Sequence, residues 1–244
     1  NTSVLKNPTH IFSAPGTYTV KYTNITTPGC LSDTIFHQVI VPSFPSATIS
    51  GTTSVCINST SPSITFTAAN GVAPYVFTYN INGGPNQTIN TVSGNSVTLA
   101  IPTNIAGVFN YNLVSVGNIS APLCTQNQTG TVVVTVFPFP VASITGTTTI
   151  CLNSASPNIS FTGVTGTAPF TFTYNINGGP NQTISTTVGN SVNLSVPTNT
   201  AGTFIYNLLS VQDGTSVACS QVQTGSSTVI VKDLPTATIA GTTN

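Results

Sequence analysis

The chain has 244 residues, of which three are lysines and three are aspartates, and its formal net charge at pH 7 is zero. So few cations exclude nucleic acid as a partner and exclude an electrostatic membrane anchor, because both need several Lys or Arg side chains. Apolar residues make up 39% of the chain, which argues against a disordered polar segment. Thr, Val, Ile, Tyr and Phe favour pleated strands, so we expect an all-β fold. No apolar run reaches the roughly 20 residues that span a bilayer, so we expect no direct membrane insertion.

The first segment, residues 1–44, is predicted to be the second half of a β-sandwich domain. Its residues 14–18, APGTY, match the positions that IAGVF and TAGTF occupy at 105–109 and 200–204. Cys30 falls one position from where a cysteine of the later copies would project, and we expect its partner to lie upstream of residue 1.

A repeat of 95 residues organises the remainder of the chain. Pro45, Pro140 and Pro235 open the segments PSATISGTT, PVASITGTT and PTATIAGTT, each 95 positions after the last. More than half of the positions in the two full copies are identical, without any insertion. The sequence therefore predicts two homologous domains, a first copy at 45–139 and a second copy at 140–234, followed by the first strand of a third copy at 235–244. We expect the chain to be a window cut from a longer array.

Within one copy, apolar residues alternate with Thr, Ser and Asn, which predicts strands with one buried face and one solvated face. Short strands, regular turns and this length indicate a seven-stranded immunoglobulin-like sandwich. Asn82-Gly83 is predicted to form a hairpin turn, because both residues tolerate positive φ. The short proline connection through Pro138 and Pro140 predicts domains arranged end to end as a rod. The predicted core positions include Ile64, Phe66, Tyr75, Phe77, Tyr79, Tyr111, Ile159, Phe161, Phe170, Phe172, Tyr174 and Tyr206.

Four cysteines recur with the repeat, and we predict two disulfides, Cys56–Cys124 and Cys151–Cys219, each inside one copy. Cys56 precedes the second predicted strand and Cys124 follows the sixth, so both are expected near one end of the sandwich. In the chain-entropy model each loop is worth about 4 kcal/mol. A zinc site is a weaker interpretation, since the chain has no Cys-x-x-Cys. Disulfides imply an extracellular or periplasmic compartment.

Candidates for catalysis or for metal binding are few. The first copy contains no Asp, Glu, Lys, Arg or His, the side chains on which acid–base catalysis depends. His10 and His37 are interpreted as ordinary strand or loop residues, and Asp213 and Asp233 are too isolated for a calcium cage. We therefore expect no enzymatic activity, no cofactor and no metal site.

Segments such as PSATISGTTSVC, FTYNINGGPNQTI, IPTNIAGVFNYNLVSV and CTQNQTGTVVVTV resemble the repeats of SprB-like gliding-motility surface adhesins of Bacteroidetes. The opening NPTHIFSAPGTYTVKYTN, followed by GCLSDTIFHQVIVPSFP, resembles the C-terminal half of a polycystic-kidney-disease (PKD) domain. This resemblance implies type IX secretion, display on the cell surface of a Gram-negative bacterium and partners in the outer-membrane secretion and attachment machinery. It also implies grip on an external substratum.

Three functions remain open at this stage. The leading hypothesis is a structural stalk or spacer segment of a long adhesin filament. The second is a carbohydrate- or surface-binding module that uses its Asn-rich turns. The third is lateral self-association, which a surface of low charge would permit. The possible ligand-contact residues lie in the thirteen-residue stretch shared by the copies, FTYNINGGPNQTI: Asn82, Asn86, Gln87, Asn177, Asn181 and Gln182.

Overall fold

The computed structural model describes residues 2–26, 30–119 and 123–241, and the side chains of all of these except 24–33. The expected partner of Cys30 concerns a side chain outside the described residues. Every regular element of the described chain is a β-strand, so the all-β prediction is confirmed. None of the described residues lies in a helix long and apolar enough to cross a membrane.

The first segment forms one antiparallel hairpin. Its strands are β1 (Gly16–Thr26) and β2 (Cys30–Val41), with Gly16 opposite Val41 and Tyr18 opposite Val39. Large apolar side chains on both strands are exposed, for example Tyr22 and Phe36. Its assignment as half of a PKD domain stays a prediction.

The described residues of the first copy, 45–119 and 123–139, form nine strands in two sheets. One sheet has the order β3-β5-β8, and the other has the order β4-β11-β9-β6-β7, with β10 paired to β9. The strands are β3 (Ser46–Ser50), β4 (Thr53–Cys56), β5 (Ser63–Ala69), β6 (Tyr75–Ile81), β7 (Gln87–Asn90), β8 (Ser96–Ala100), β9 (Gly107–Asn118), β10 (Thr125–Asn127) and β11 (Thr131–Phe137).

The second copy repeats this topology strand for strand, with one sheet of order β12-β14-β17 and one of order β13-β20-β18-β15-β16, with β19 paired to β18. The short strand β13 runs parallel to the last strand β20, and all the other pairs are antiparallel. The strands are β12 (Val141–Thr145), β13 (Thr148–Cys151), β14 (Asn158–Thr165), β15 (Thr171–Ile176), β16 (Gln182–Ser185), β17 (Ser191–Ser195), β18 (Gly202–Gln212), β19 (Ser220–Val222) and β20 (Ser226–Lys232). Residues 235–241 follow without a strand, so their assignment to a third copy stays a prediction.

The described part of each copy has nine strands where the sequence predicted seven, partly because the first strand divides and changes sheets. Gly51 separates β3 from β4 at φ 118°, and Gly146 separates β12 from β13 at φ 119°. Residues other than glycine rarely adopt this φ, and a Cβ at Gly146 would lie only 2.3 Å from the carbonyl oxygen of Asn158. Glycine therefore allows the strand to leave one sheet and join the other.

The core lies between the two sheets, as the alternation predicted. In the second copy, Phe161 of β14 stacks on Phe172 of β15 with ring centroids 5.7 Å apart, and the two rings come from opposite sheets. In the first copy, Phe66 and Phe77 are separated by 5.5 Å. The twelve core positions named above are buried, whereas other alternating apolar positions predicted to face the core, such as Val97, Leu99 and Phe109, are half-buried. Removing these side chains from water is the main source of stability for each sandwich.

The chain separates into two compact units whose limits differ from the repeat limits. Unit 1 comprises Asn1–Thr52, Pro62–Ile101 and Phe109–Val134, and unit 2 comprises Thr53–Ser61, Pro102–Val108 and Thr135–Asn244. Three short segments of the first copy, residues 53–61, 102–108 and 135–139, thus belong to the same unit as the second copy. Domain limits at the repeat boundaries, and a rod-like arrangement, stay predictions.

Candidate functional sites: the cysteine pair and the repeated turn

A disulfide joins Cys56 to Cys219 inside unit 2, with Cα atoms 5.7 Å apart and a sequence separation of 163 residues. Cys56 ends β4 and belongs to the first copy, whereas Cys219 precedes β19 in the second copy. The bond therefore connects one copy of the repeat to the next. Such a bond is typical of an oxidising compartment.

The predicted bonds within a copy are wrong, and the geometry of the second copy gives the reason. Cys151 pairs with Lys232 at the end of β20, and Val231 of β20 pairs with Gly202, the first residue of β18. Cys151 therefore lies near the beginning of β18.

Cys219 lies at the other end of the same strand. Its carbonyl oxygen accepts a hydrogen bond of 3.0 Å from the amide of Asp213, the residue that follows β18. A strand of this length spans about 30 Å, whereas a disulfide needs Cα atoms within about 7 Å. A Cys151–Cys219 bond is therefore impossible. Cys56 cannot bond to Cys124 because it is already bonded to Cys219.

The other two recurring cysteines carry free thiols. Cys124 is half-buried and Cys151 is exposed. The amide of Cys124 donates to Asn118 Oδ1 at 2.8 Å, so the backbone of this cysteine is held to the end of β9. Among the described residues, no group of three or more His, Cys, Asp or Glu side chains could hold a metal ion.

The repeated turn Asn82-Gly83 has the predicted conformation. Asn82 has φ 53° and Gly83 has φ 73°, and the amide of Gly84 donates to Ile81 O at 2.9 Å. Two successive positive φ values define the hairpin turn that fits the twist of β-strands. Asn177 and Gly178 repeat it with φ 51° and 72°.

The amides at the start of this turn hold it to the neighbouring strand. Asn82 Oδ1 accepts from the amide of Asn110 at 2.8 Å, and Asn177 Oδ1 accepts from the amide of Ile205 at 2.7 Å. The backbone amides of both asparagines donate in return to the same neighbours. The residue types of the turn are thus explained by its attachment to β9 and β18.

Of the remaining candidate contact residues, the two glutamines also have structural partners. Tyr79 donates its hydroxyl proton to Gln87 Oε1 at 3.1 Å, and Tyr174 does the same to Gln182 Oε1 at 3.0 Å. Asn86 and Asn181 are exposed on the surface of the turn.

Four tyrosines beneath these turns are buried. Burial raises the pKa of Tyr79, and burial followed by the charge of Tyr79 raises the pKa of Tyr111. The pKa values of Tyr174 and Tyr206 are raised for the same reasons in the second copy. These rings are core residues, so they do not provide the exposed aromatic platform that a sugar site would use.

Unit 2 also carries a surface pocket of about 340 Å³ near the end of the second copy where Cys151 lies. Most of its exposed lining is apolar. The amide of Asn153 donates to Thr198 O at 2.9 Å, which places the turn after Cys151 beside the pocket wall. The lining residues are Ile176, Val196, Pro197, Asn199, Thr200, Phe204 and Tyr206.

One buried side chain is incompletely bonded. Asp213 is 4% exposed, and its Oδ1 accepts from the Thr215 hydroxyl at 2.7 Å. Its Oδ2 has no hydrogen-bond partner among the described residues. The equivalent residue of the first copy is Asn118.

No family model matches the chain, and no curated protein matches it. It is similar to a solved Ca²⁺-stabilised adhesin with which an Antarctic bacterium binds ice, at 16% identity over 91% of this chain and 58% of that one, with a TM-score of 0.47. A 1.5-MDa bacterial ice-binding adhesin is similar at 15% identity over 90% of this chain and 76% of that one, TM-score 0.43. A tetra-tandem repeat from the extending region of a large adhesion protein gives 18% identity, 88% and 57% coverage and a TM-score of 0.29.

The copy-to-copy disulfide is the feature that the sequence interpretation missed. A signal for it exists in the strand order. Because β13 runs parallel to the last strand β20 of its copy, a cysteine at the end of β13 lies where the chain leaves that copy. Cys56 has the equivalent position in β4, so its partner had to be sought in the following copy.

Proposed function

We propose that this chain is a load-bearing spacer segment of a bacterial cell-surface adhesin filament, in which successive sandwich copies extend the filament and transmit tension. The observation that carries the proposal is the Cys56–Cys219 bond, because it connects the first copy covalently to the second. Tension applied across these cysteines can pass through the disulfide without extending the residues between them.

The expected mechanical effect is large. The two cysteines are 163 residues apart, and an extended chain spans about 3.4 Å per residue, so the bond withholds about 550 Å of contour length from a pulling force. Both core sandwiches lie mostly inside this interval. Unfolding under load would therefore release only the residues outside it.

Single-molecule pulling of the full chain, attached at residues 1 and 244, tests the proposal. The oxidised chain should release about 550 Å less contour length than a Cys56→Ser variant. Cys151→Ser is the matched control, because it removes an unbonded thiol, and it should behave as the parent chain. Equal released lengths for the parent and Cys56→Ser, or negative-stain images of a collapsed chain, would refute the load-bearing spacer.

We infer the cellular setting from the sequence motifs that resemble gliding-motility adhesins. The chain would be exported by type IX secretion, held by outer-membrane attachment machinery and moved along the cell surface, where the filament grips a substratum. Protease treatment of intact source cells should then remove the epitope of an antibody raised against residues 45–234. An epitope that resists protease until the cells are lysed contradicts this location.

A second candidate function is binding to a carbohydrate or to a solid surface through the repeated turns. The observation that favours it is the exposure of Asn86 and Asn181 on two turns of identical sequence. A glycan array should show binding that is lost in Asn86→Ala/Asn181→Ala. Asn82→Ala and Gln87→Ala are poorer tests, because these side chains hold the turn and the Tyr79 hydroxyl.

Lateral self-association of neighbouring filaments is the third proposal, and the low surface charge supports it. Sedimentation equilibrium of the oxidised chain over increasing concentration tests it directly. Reversible association is expected, and a monomer at the highest concentration would remove this proposal without affecting the spacer function.

A further inference from the structure

The hydrogen bonds and the positive-φ asparagine next to Cys151, which we call its local frame, reproduce those next to the bonded Cys56. In both copies the residue after the cysteine donates its amide to the end of the last strand, at 2.8 Å. The next residue is an asparagine with positive φ, 58° at Asn58 and 59° at Asn153. Around Cys56 the hydrogen bonds are Ile57 N to Phe137 O, Asn58 N to Thr103 O and Thr103 Oγ1 to Ser59 O. Around Cys151 the matching bonds, in the same order, are Leu152 N to Lys232 O, Asn153 N to Thr198 O and Thr198 Oγ1 to Ser154 O.

The two cysteines differ only in what lies opposite them. Cys56 is half-buried and bonded to Cys219, whereas Cys151 is exposed and reduced. The partner of Cys56 lies 163 residues further along the chain. The same step from Cys151 passes residue 244, and residues 235–243, PTATIAGTT, repeat the opening letters of a copy.

We propose that Cys151 is a bonding site for a further copy of this repeat, and that its partner is the cysteine of that copy equivalent to Cys219. Cys124 is the equivalent of Cys219 in the first copy, so by the same rule it is the disulfide partner for a cysteine of a preceding copy. The inference goes beyond the proposed spacer function and does not depend on it, because it concerns which sulfur atoms bond and not what load they carry.

The surface beside Cys151 suits this occupant. Residues Pro102–Val108 of the first copy belong to unit 2 together with the second copy. The equivalent residues of the second copy, 197–203, supply one wall of the apolar pocket, and Ile176 and Phe204 supply others. A further copy could dock on residues 197–203 in the way that the second copy is grouped with Pro102–Val108. It would then cover this pocket and bring its cysteine to Cys151.

The chemistry is a thiol–disulfide exchange with a disulfide oxidant, for which oxidised glutathione serves in the test below. The Cys151 thiolate attacks one glutathione sulfur and releases the first glutathione thiolate. The thiolate of the partner cysteine then attacks the Cys151 sulfur of the mixed disulfide and releases the second. Two cysteine thiols are oxidised and one glutathione disulfide is reduced to two thiols.

Successive bonds of this kind would overlap. The Cys56–Cys219 interval and the interval beginning at Cys151 share residues 151–219. A single backbone cut within the shared region would then be bridged by two disulfides. A filament built in this way keeps its covalent connection after one proteolytic cut in any copy that lies inside the array.

The test uses the full chain lengthened by one additional copy of residues 140–234 inserted after residue 234, in a Cys30→Ser background. After equilibration in a glutathione redox buffer, thiols are titrated in denaturant. Two free thiols are expected, on Cys124 and on the inserted counterpart of Cys151. Four free thiols, with only the Cys56–Cys219 bond formed, would overturn the proposal.

A second variant identifies the sulfur that reacts. Cys151→Ser in the lengthened chain should raise the count from two to three, because the inserted counterpart of Cys219 loses its partner. A count of one would show that the second bond forms without Cys151 and would also overturn the proposal. Far-ultraviolet circular dichroism distinguishes a failed bond from a misfolded inserted copy, because a folded copy should add a β-sheet signal proportional to its length.

Discussion

The two copies of the repeat share one fold, but they differ in a few buried positions and in which of their two cysteines is bonded. Their strand orders are the same, and so are the hydrogen bonds around Thr103 and Thr198. Yet the cysteine beside Thr103 is bonded and the cysteine beside Thr198 is a free thiol. This contrast shows that the local frame is set within each copy, whereas the disulfide depends on a neighbouring copy that supplies the partner cysteine.

Inside the cores, one pair of contacting positions is filled differently in the two copies. The first copy has Ala68 with Tyr75, whose hydroxyl donates to the carbonyl of Asn70. The second copy has Gly163 with Phe170, and a Cβ at Gly163 would lie 2.6 Å from the Phe170 ring. The ring has therefore taken the space of the missing methyl group, and each solution fills its core.

The largest effect should come from the cysteines. Cys56→Ser removes a cross-link over 163 residues, and in the chain-entropy model this should lower the free energy of unfolding by about 5 kcal/mol. Cys151→Ser removes an exposed thiol with no bond and should change it by less than about 0.5 kcal/mol. Urea denaturation of both variants under oxidising conditions measures the difference. Equal losses would remove the distinction between the two copies.

Next in size is the exchanged core pair. Gly163→Ala forces a methyl group against the Phe170 ring, and overpacking of this kind should lower the free energy of unfolding by about 2 kcal/mol. The reciprocal Ala68→Gly creates space instead and should cost about 1 kcal/mol through strand flexibility and lost burial. Urea midpoints of the two variants test the order. A harmless Gly163→Ala would mean that Phe170 can move aside freely.

A smaller effect is expected where Asp213 replaces Asn118. Asp213 buries a carboxylate oxygen with no hydrogen-bond partner among the described residues, whereas Asn118 Oδ1 accepts from the amide of Cys124 at 2.8 Å. Replacing this carboxyl group by the amide of the first copy, in Asp213→Asn, should raise the free energy of unfolding by about 1 kcal/mol. Asn118→Asp should lower it by a similar amount. Thermal unfolding of both variants measures the signs, and two changes of the same sign would contradict the account.

Much of the fold could be predicted because it depends on local pattern. The alternation that placed Phe66, Tyr79 and Phe161 in the core follows from the two-residue period of strands, and the Asn82-Gly83 turn follows from its φ preferences. The division of the first strand at Gly51 was missed, since an isolated glycine in a strand does not indicate where the chain goes next.

The candidate site was harder to predict because it depends on distant residues. The role of Asn82 is decided by Asn110 on another strand, and that of Gln87 by the Tyr79 hydroxyl. The pairing of Cys56 is decided by a residue of the following copy. Spacing within one copy contains no information about that neighbour, which is why a bond inside the copy was predicted and was wrong.

The smallest predicted effect concerns pH, and it should be equal in the two copies. Burial raises the pKa of Tyr111 and Tyr206 above the ordinary tyrosine value of about 10. Above that pH the unfolded chain has lost these protons while the folded chain still holds them, so the free energy of unfolding falls as pH rises through the folded pKa. Below about pH 9 it should not change on this account. Urea denaturation between about pH 8 and pH 11 should show this decline, and Tyr111→Phe and Tyr206→Phe should each reduce it by the same amount. A reduction in only one variant would show that the two tyrosine sites, which match in sequence and in burial, are not energetically equivalent.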